Sequence, residues 1–243
     1  MDENTHNGTR LNLIIAGSIL AATLIICTLI GASTLIKVRS LSNTIRVTGA
    51  AFKPIKSDYA IWDANVSARA ETLESAYSKL ESDLKKVKTF FANQGMSDTS
   101  YSLRPVRINK HMNREGQIIA YTLVQTFHIE MPDVEKVKSL SEKASVLIEQ
   151  GVMIESRPPK YLVTSLDDLK IEMIRAATEN AKMRAEQLAG STGHKIGAPT
   201  SANVGVFQIR ALHSQDVSSR GMSDVSSINK EIVSTVHVRF LIE

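Results

Sequence analysis

The chain has 243 residues, of which 43% are hydrophobic and 22% are charged, and this composition excludes a mainly disordered protein. The formal net charge is only +4, and the lysines and arginines are scattered along the chain, so no nucleic-acid partner is expected. The single cysteine, Cys27, excludes an intramolecular disulfide and a cysteine-rich zinc site.

A long apolar segment lies near the amino terminus. Residues 11–36 carry no charged side chain. As a helix with a rise of about 1.5 Å per residue, they would span about 39 Å, more than the hydrocarbon core of a bilayer. The sequence therefore predicts a tail over 1–10, an uncleaved transmembrane anchor over 11–36 and a linker over 37–43. The alternative is a signal peptide that is cleaved near Gly31 and Ser33.

The charges beside this segment indicate its orientation only weakly. Arg10 precedes the segment, whereas Lys37 and Arg39 follow it. By the positive-inside rule, this small difference favours a cytoplasmic carboxyl-terminal domain.

Residues 44–243 alternate between strand and helix patterns and are predicted to form one α+β domain. The first strand, 45–49, is expected to end at Gly49, and a turn is expected at Pro54 and Asp58. A second strand follows over 60–70, because its even-numbered residues are apolar and its odd-numbered residues from Asp63 to Arg69 are polar.

A helix is predicted after this strand, because apolar residues recur three and four positions apart as far as Phe91. Gly95 is expected to end the helix in the left-handed conformation. The residues expected on its buried face are Leu73, Tyr77, Leu80, Leu84, Val87 and Phe91.

Two strands joined by a polar hairpin are predicted next. The apolar parity of the first strand changes across Pro105, which indicates a bulge or an edge position. Residues 109–117 are predicted to form the hairpin loop, and residues 119–129 the second strand.

The pattern then repeats with a helix that begins at Pro132 and ends at Gly151, followed by a short strand over 152–154. The residues expected to be buried on this helix are Val134, Val137, Leu140, Ala144 and Leu147. Strand, helix, strand, strand, helix and strand is the ferredoxin-like order, which is predicted for residues 58–157.

A long third helix is predicted from Ser165 to Ala189, and its mixed charges favour a solvated outer face over a surface that grips a partner. Its predicted buried stripe is Leu166, Leu169, Met173, Ala177, Ala181, Ala185 and Leu188. A carboxyl-terminal β-hairpin of two strands, about 203–212 and 231–242, is predicted to close the chain. The serine-rich residues 213–229 between them are predicted to form a long flexible loop with almost nothing to bury.

The chain contains no recognisable catalytic or metal-binding motif. None of its six histidines forms a pair with the spacing of metal ligands on a helix, and no phosphate-binding glycine loop is present. His128 and His237 lie on the polar faces of predicted strands, where solvation is the simpler explanation. Asp167 and Asp168 are explained by their place at a helix amino terminus. We therefore predict no catalytic, cofactor-binding or metal-binding residue, and we expect a non-enzyme.

Residues 176–197, AATENAKMRAEQLAGSTGHKIG, resemble the helix signature of the SIMPL-domain family. Members carry a Lys/Arg-Ala-Glu-x-Leu-Ala core, matched here by residues 184–189, and then a glycine turn and a Lys-x-Gly strand, matched by residues 193–197. Residues 45–49, Ile-Arg-Val-Thr-Gly, are similar to the family's first strand. Members usually have a Gly-Tyr pair at the start of the strand predicted here over 119–129. In this chain Ala120 stands in place of that glycine, before Tyr121.

The resemblance covers about 44–242 and transfers no active site. It implies an α+β domain that is exported across the bacterial inner membrane and faces the periplasm, against the weak charge count. Some members form large ring-like oligomers, and some are linked to envelope or oxidative stress. We therefore expect a single-pass inner-membrane protein that contacts lipid through its anchor and self-assembles through its periplasmic domain. The alternative is a binding module that captures a ligand or partner protein through residues 213–229.

Overall fold

The computed structural model describes residues 17–18, 20–34 and 43–243. In the amino-terminal segment, residues 20–34 are helical and are named α1, and their side chains are exposed. Among the described residues, no helix is long and apolar enough to cross a membrane. The predicted tail 1–10, both ends of the predicted anchor 11–36 and nearly all of the linker 37–43 lie outside the described residues.

The described residues from 43 onward form a mixed α+β fold, which confirms the predicted class. A single 3-10 turn, Asp98–Ser100, also occurs. The strands are β1 (Thr44–Lys56), β2 (Tyr59–Ala70), β3 (Ser102–Leu103), β4 (Arg107–Met112), β5 (Ile118–Met131), β6 (Met153–Ser156), β7 (Lys160–Leu162), β8 (Ile196–Val204), β9 (Gln208–Ala211), β10 (Met222–Ser223) and β11 (Asn229–Ile242). The helices are α2 (Leu73–Asn93), α3 (Val134–Lys143), α4 (Val146–Glu149) and α5 (Leu166–Ser191).

Two compact units can be distinguished. The small unit contains the chain up to Gly49, together with Ala177–Val204 and Val236–Glu243. The large unit contains Ala50–Ala176 and Gly205–Thr235.

The large unit contains a six-stranded sheet of order β3-β5-β2-β6, in which β4 also pairs with β5 and β7 with β2. The pairings are antiparallel, and Asp63 lies opposite His128 in the register of β2 and β5. Trp62, Phe91 and Phe127 form edge-to-face contacts in the core beneath α2 and α3, with ring centroids 6.2 Å and 5.2 Å apart. The predicted alternation of β2 and the predicted buried residues of the second helix are confirmed, but the single helix predicted to end at Gly151 is divided into α3 and α4.

The caps of these helices follow from their sequences. The hydroxyl of Thr72 accepts a hydrogen bond from the Ser75 N–H, and the carboxylate of Asp133 accepts one from Lys136, so that free amides at both helix starts are satisfied. Gly95 and Gly151 have φ values of 70° and 80°, as expected where a left-handed residue ends a helix.

The predicted buried face of α2 is partly wrong. Leu80, Val87 and Phe91 are buried, but Leu73 and Tyr77 are exposed. The buried stripe also includes Ala76, Asp83 and Phe90, so the buried face is turned away from Leu73 and Tyr77. Leu73 and Tyr77 therefore face an open groove.

Three further boundaries were predicted wrongly. β1 continues past Gly49 and Pro54 to Lys56, since β1 ends the strand order of its sheet and an edge strand tolerates proline. β4 extends to Met112, so the turn of the hairpin occupies only 113–117. The strand predicted over 203–212 is two strands, β8 and β9, separated at Gly205.

β11 belongs to a five-stranded sheet of order β1-β11-β9-β10, in which β8 also pairs with β11. In the large unit, the first half of β11 pairs antiparallel with β9. In the small unit, its second half pairs antiparallel with β8, with Val236 opposite Val204 and Val238 opposite Ala202.

The alanine stripe of α5 is confirmed. In the small unit, Ala177, Ala181, Ala185 and Ala189 are buried at four-residue spacing. Leu188, predicted on this stripe, is exposed, and Ala189 takes its place. Residues without bulky side chains let another part of the backbone approach this helix closely.

Candidate functional site

A polar cluster lies on the face of the six-stranded sheet that points away from α2 and α3. Nδ1 of His128 donates a hydrogen bond to Oδ1 of Asp63 over 2.6 Å, and Oε2 of Glu130 lies 3.6 Å from Nε2. Arg104 Nη2 lies 3.8 Å from the same Asp63 oxygen. It also lies 3.1 Å from Nδ1, but the proton on Nδ1 is directed to the carboxylate, so the Arg104 contact is mainly a charge contact with Asp63.

The buried side-chain amide of Asn65 lies next to this cluster. Asn65 Oδ1 accepts a hydrogen bond from Thr126 over 2.7 Å, and its Nδ2 donates to Glu155 over 2.9 Å. Both ends of the buried amide are thereby satisfied, as a buried polar group requires. This part of the cluster cross-links three strands, and both ends of the Asn65 amide have partners within the sheet.

The histidine and aspartate of the cluster are two of the three groups that a nucleophilic hydrolase needs. Ser102 lies opposite His128 in the register of β3 and β5. Among the described residues, however, no hydroxyl or thiol hydrogen-bonds to His128, and no three of the metal-binding residue types form a metal site. The geometry is that of a surface ion-pair cluster, and the expectation of a non-enzyme stays a prediction.

The other strand histidine lies in the other sheet. In the small unit, His237 Nδ1 is 2.8 Å from the hydroxyl of Thr48. In the large unit, His111 Nε2 is 2.8 Å from the hydroxyl of Thr122. Each ring thus has a local hydroxyl partner on its own sheet.

The residues 213–229, offered as an alternative binding loop, are held by many hydrogen bonds. The side chain of Gln208 donates to the carbonyl of Ser218 over 2.7 Å and accepts from its N–H over 3.2 Å. Ile228 packs against the core of the large unit, and β10 pairs with β9. The loop thus contains one short strand and the partly buried Ile228, and its other residues are half-buried or exposed, as predicted; its flexibility stays a prediction. Capture of a ligand through this loop stays a prediction.

Lys230, which follows this loop, binds it through a buried ammonium group. Its side chain is only 1% exposed, and Nζ donates to the carbonyl oxygens of Tyr161 and Asp224 over 2.6 Å and 2.5 Å. Burial lowers the pKa of Lys230, and the charge of Asp224 opposes that shift. Burial also acts to raise the pKa of Asp224, but hydrogen bonds from Ser226 outweigh it, so the pKa of Asp224 is lowered.

The sequence contained a signal for this buried lysine that the prediction missed. Lys230 has the same parity in β11 as Ile232, Val236 and Val238, which are all buried. If the buried face of β11 is extended by two residues from Ile232 toward the start of the strand, Lys230 falls on that buried face.

The strand β8 has an open edge. Among the described residues it pairs only with β11, and residues 198–204 are exposed on both faces. Its sequence, IGAPTSANV, contains no charged residue. By contrast, β4 at the edge of the other sheet carries Arg107 and Lys110, as edge strands that avoid pairing usually do.

The free backbone groups of β8 can be assigned from its register. The N–H of Gly205 donates to the carbonyl of Thr235 over 2.8 Å, and hydrogen-bonded pairs alternate along an antiparallel ladder. The N–H and C=O groups of Val204 and Ala202 therefore point to the open edge.

Comparison with known proteins identifies the family. Residues 45–240 match the model of the SIMPL family, which is described as a protein of unknown function (DUF541). No curated protein matches the sequence. The family match spans both units and contains the alanine stripe, the polar cluster and the open edge of β8. The chain therefore belongs to the SIMPL family.

Proposed function

We propose that the protein is a non-enzymatic, membrane-anchored envelope protein that self-assembles through its SIMPL domain. The observation that carries this proposal is the open, uncharged edge of β8. An exposed strand edge is a template for pairing with another chain, and proteins that avoid pairing place charges on it. No residue of this strand is charged, and beyond Pro199, which lacks an N–H, residues 200–204 offer an edge that is ready to pair.

A second copy of the chain is the partner that this edge fits best. Antiparallel pairing of β8 with β8 of another copy gives a two-fold contact in which each strand supplies the same residues. Small side chains such as Ala198 and Ala202 let the strands approach, and no like charges meet across the pair. A further contact elsewhere on the domain would extend such pairs into the ring-like oligomer that the family resemblance suggests.

The membrane anchor is part of the same proposal. The uncharged run 11–36 and the family resemblance support a single-pass inner-membrane protein whose domain lies in the periplasm. A carboxyl-terminal alkaline phosphatase fusion would test the orientation, because this enzyme is active only in the periplasm. An inactive fusion that is produced in full would contradict the periplasmic placement. A role in envelope stress rests on the resemblance alone.

The proposal also includes a ferredoxin-like core in the large unit. The strand order β4-β5-β2-β6 with two helices on one face supports a ferredoxin-like core for the large unit. The open edge of β8 belongs to the other, five-stranded sheet, so pairing through β8 leaves this core unchanged.

Self-assembly is tested by the mass of the particle. Light scattering after size exclusion in a mild detergent should give a protein mass that is a multiple of 26.7 kDa. A strict monomer across the working range of concentrations would contradict the proposal.

A further inference from the structure

The β4–β5 hairpin of the large unit exposes an unusual combination of side chains. Ile108, Met112, Ile118 and Ile119 each have 41–57% of their surface exposed. Exposed large apolar groups that cluster at one place mark a binding surface, whereas single ones are ordinary. Arg107, Lys110 and Arg114 are interleaved with them and are also exposed.

The three cations have no acidic partner. Among the described residues, no carboxylate lies within ion-pair distance of Arg107, Lys110 or Arg114, although ten ion pairs occur elsewhere. Glu115 is the single acidic residue between 107 and 119. The hairpin therefore presents uncompensated positive charge beside apolar side chains.

The tip of the hairpin is held in one conformation. Asn113 Oδ1 accepts hydrogen bonds from the N–H groups of Glu115 and Gln117 over 3.0 Å and 2.9 Å, and Gly116 has a φ of 81°. A fixed tip loses little conformational entropy when it binds, since its backbone is already ordered.

An apolar groove adjoins the hairpin. It has a volume of about 490 Å³ and is lined by five apolar or aromatic side chains and one carboxylate: Leu73, Tyr77, Val106, Ile108, Leu123 and Glu74. Lys110 is two residues from Ile108 and therefore lies on the same face of β4, about 7 Å further along the strand. An apolar groove thus runs toward a free ammonium group.

We propose that the hairpin and this groove bind anionic phospholipid at a membrane surface. The groove and the exposed aliphatic side chains would contact acyl chains, and Lys110, Arg107 and Arg114 would contact headgroup phosphates. Anionic membranes attract basic residues in this way, and the aliphatic groups add burial that a purely ionic contact lacks. This inference does not depend on self-assembly through β8.

Two other partners fit these residues less well. A nucleic acid would bind the cations but would leave the aliphatic groups and the groove in water, since bases stack mainly on aromatic side chains. A second copy of this hairpin, paired about a two-fold axis, would bring the cations of the two copies close together, with no carboxylate between 107 and 114 to offset them.

The test places an environment-sensitive fluorophore on the hairpin of the full chain. Met112→Cys is labelled in a Cys27→Ala background, and the protein is reconstituted into vesicles of phosphatidylcholine alone or with phosphatidylglycerol. We expect a blue shift and quenching by a lipid with a spin label on its acyl chain only in the vesicles that contain phosphatidylglycerol. The same label at Val217→Cys, an exposed apolar position outside the hairpin, should show neither effect.

Charge removal separates the hairpin from general electrostatics. The triple variant Arg107→Gln, Lys110→Gln, Arg114→Gln should abolish the blue shift. The triple variant Lys79→Gln, Lys88→Gln, Lys138→Gln removes the same charge from exposed helix positions and should keep it.

Two outcomes would overturn the inference. One is an equal signal in both kinds of vesicle, or a signal that survives loss of the three hairpin cations. The other is full shielding of the Met112 label in lipid-free detergent, which would show that a second copy covers the hairpin instead.

Discussion

β1 and α5 approach so closely at Gly49 that a Cβ on this glycine would lie 2.7 Å from the Cβ of Ala181 and still closer to the carbonyl oxygen of Ala177. These residues belong to the two segments on which the family resemblance rests, the Val-Thr-Gly strand and the alanine-rich helix. The two segments are thus the two sides of one close backbone contact. The signature describes a packing requirement of the small unit and not a chemical site.

The Gly49→Ala variant should be strongly destabilised. The added methyl group has no room against a helix backbone, and overpacking of this kind costs about 1–3 kcal/mol or more. Urea unfolding followed by circular dichroism would measure the loss in the free energy of unfolding.

Gly190→Ala is the matched control for this variant. Gly190 lies in the last turn of α5 with nothing within 4 Å of an added Cβ, so alanine should be neutral or stabilise by up to about 1 kcal/mol. Equal effects of the two substitutions would refute the close contact at Gly49.

Lys230 should make stability rise with pH in the alkaline range. Its pKa in the folded protein lies below the ordinary value of 10.5, so between these two pKa values the unfolded chain binds more protons. The free energy of unfolding therefore increases as pH rises toward 10.5, by about 1.4 kcal/mol for each unit by which the folded pKa is lowered.

Urea unfolding of the wild type and Lys230→Met at several pH values would measure this contribution. The free energy of unfolding of the wild type should rise relative to that of Lys230→Met as pH rises toward 10.5. The exposed control Lys88→Met should show no such shift. A pH-independent difference for Lys230→Met would mean that the lysine is not desolvated as its burial indicates.

The Asp63–His128 pair should contribute to stability and not to assembly. Asp63→Asn removes the charge from a 2.6 Å hydrogen bond between partly buried groups, for which about 1 kcal/mol of destabilisation is expected. Thermal unfolding and particle mass, measured on the same samples, would show a lower midpoint with an unchanged mass. If an activity of this protein is detected and His128→Ala abolishes it, the non-enzymatic account is wrong.

Much of the large unit could be predicted from sequence because its strands and helices bury one regular face. The alternation in β2 and the spacing in α3 gave correct elements and correct buried residues. α2 misled because Leu73 and Tyr77 continue its apolar spacing on a face that nothing covers, whereas Ala76 between them is buried, and periodicity cannot show which of two adjoining faces meets the sheet.

The family resemblance implied a strand that begins at residues 195–197, but the length and open edge of β8 could not be predicted from local sequence, for a related reason. Residues 197–203 are glycine, proline, serine, threonine, asparagine and alanine, which are typical of turns and show no apolar alternation. This segment is a strand because β11 offers a ladder of partners, and such a tertiary cause is not visible in local sequence. Gly49 was likewise predicted to end the first strand. Glycine is needed there because α5, about 130 residues further along the chain, packs closely against β1, and local sequence does not show this contact.

Charge on the open edge should block assembly. Ala202→Lys places an ammonium group on the exposed edge strand, where two copies paired through β8 would bring two such charges together. Asn109→Lys adds the same charge to β4, an edge that already carries cations, and should leave the particle mass unchanged. Equal masses for both variants and the wild type would argue against pairing through β8.

The most direct test of assembly through β8 is the particle mass of Ala202→Pro in mild detergent. Proline removes an N–H that points to the open edge and leaves the ladder with β11 intact, so the unfolding midpoint should stay near that of the wild type. The account predicts that the wild type has a mass that is a multiple of 26.7 kDa and that the variant has the mass of a folded monomer or of a smaller oligomer. A folded variant with the full mass of the wild-type particle would contradict it.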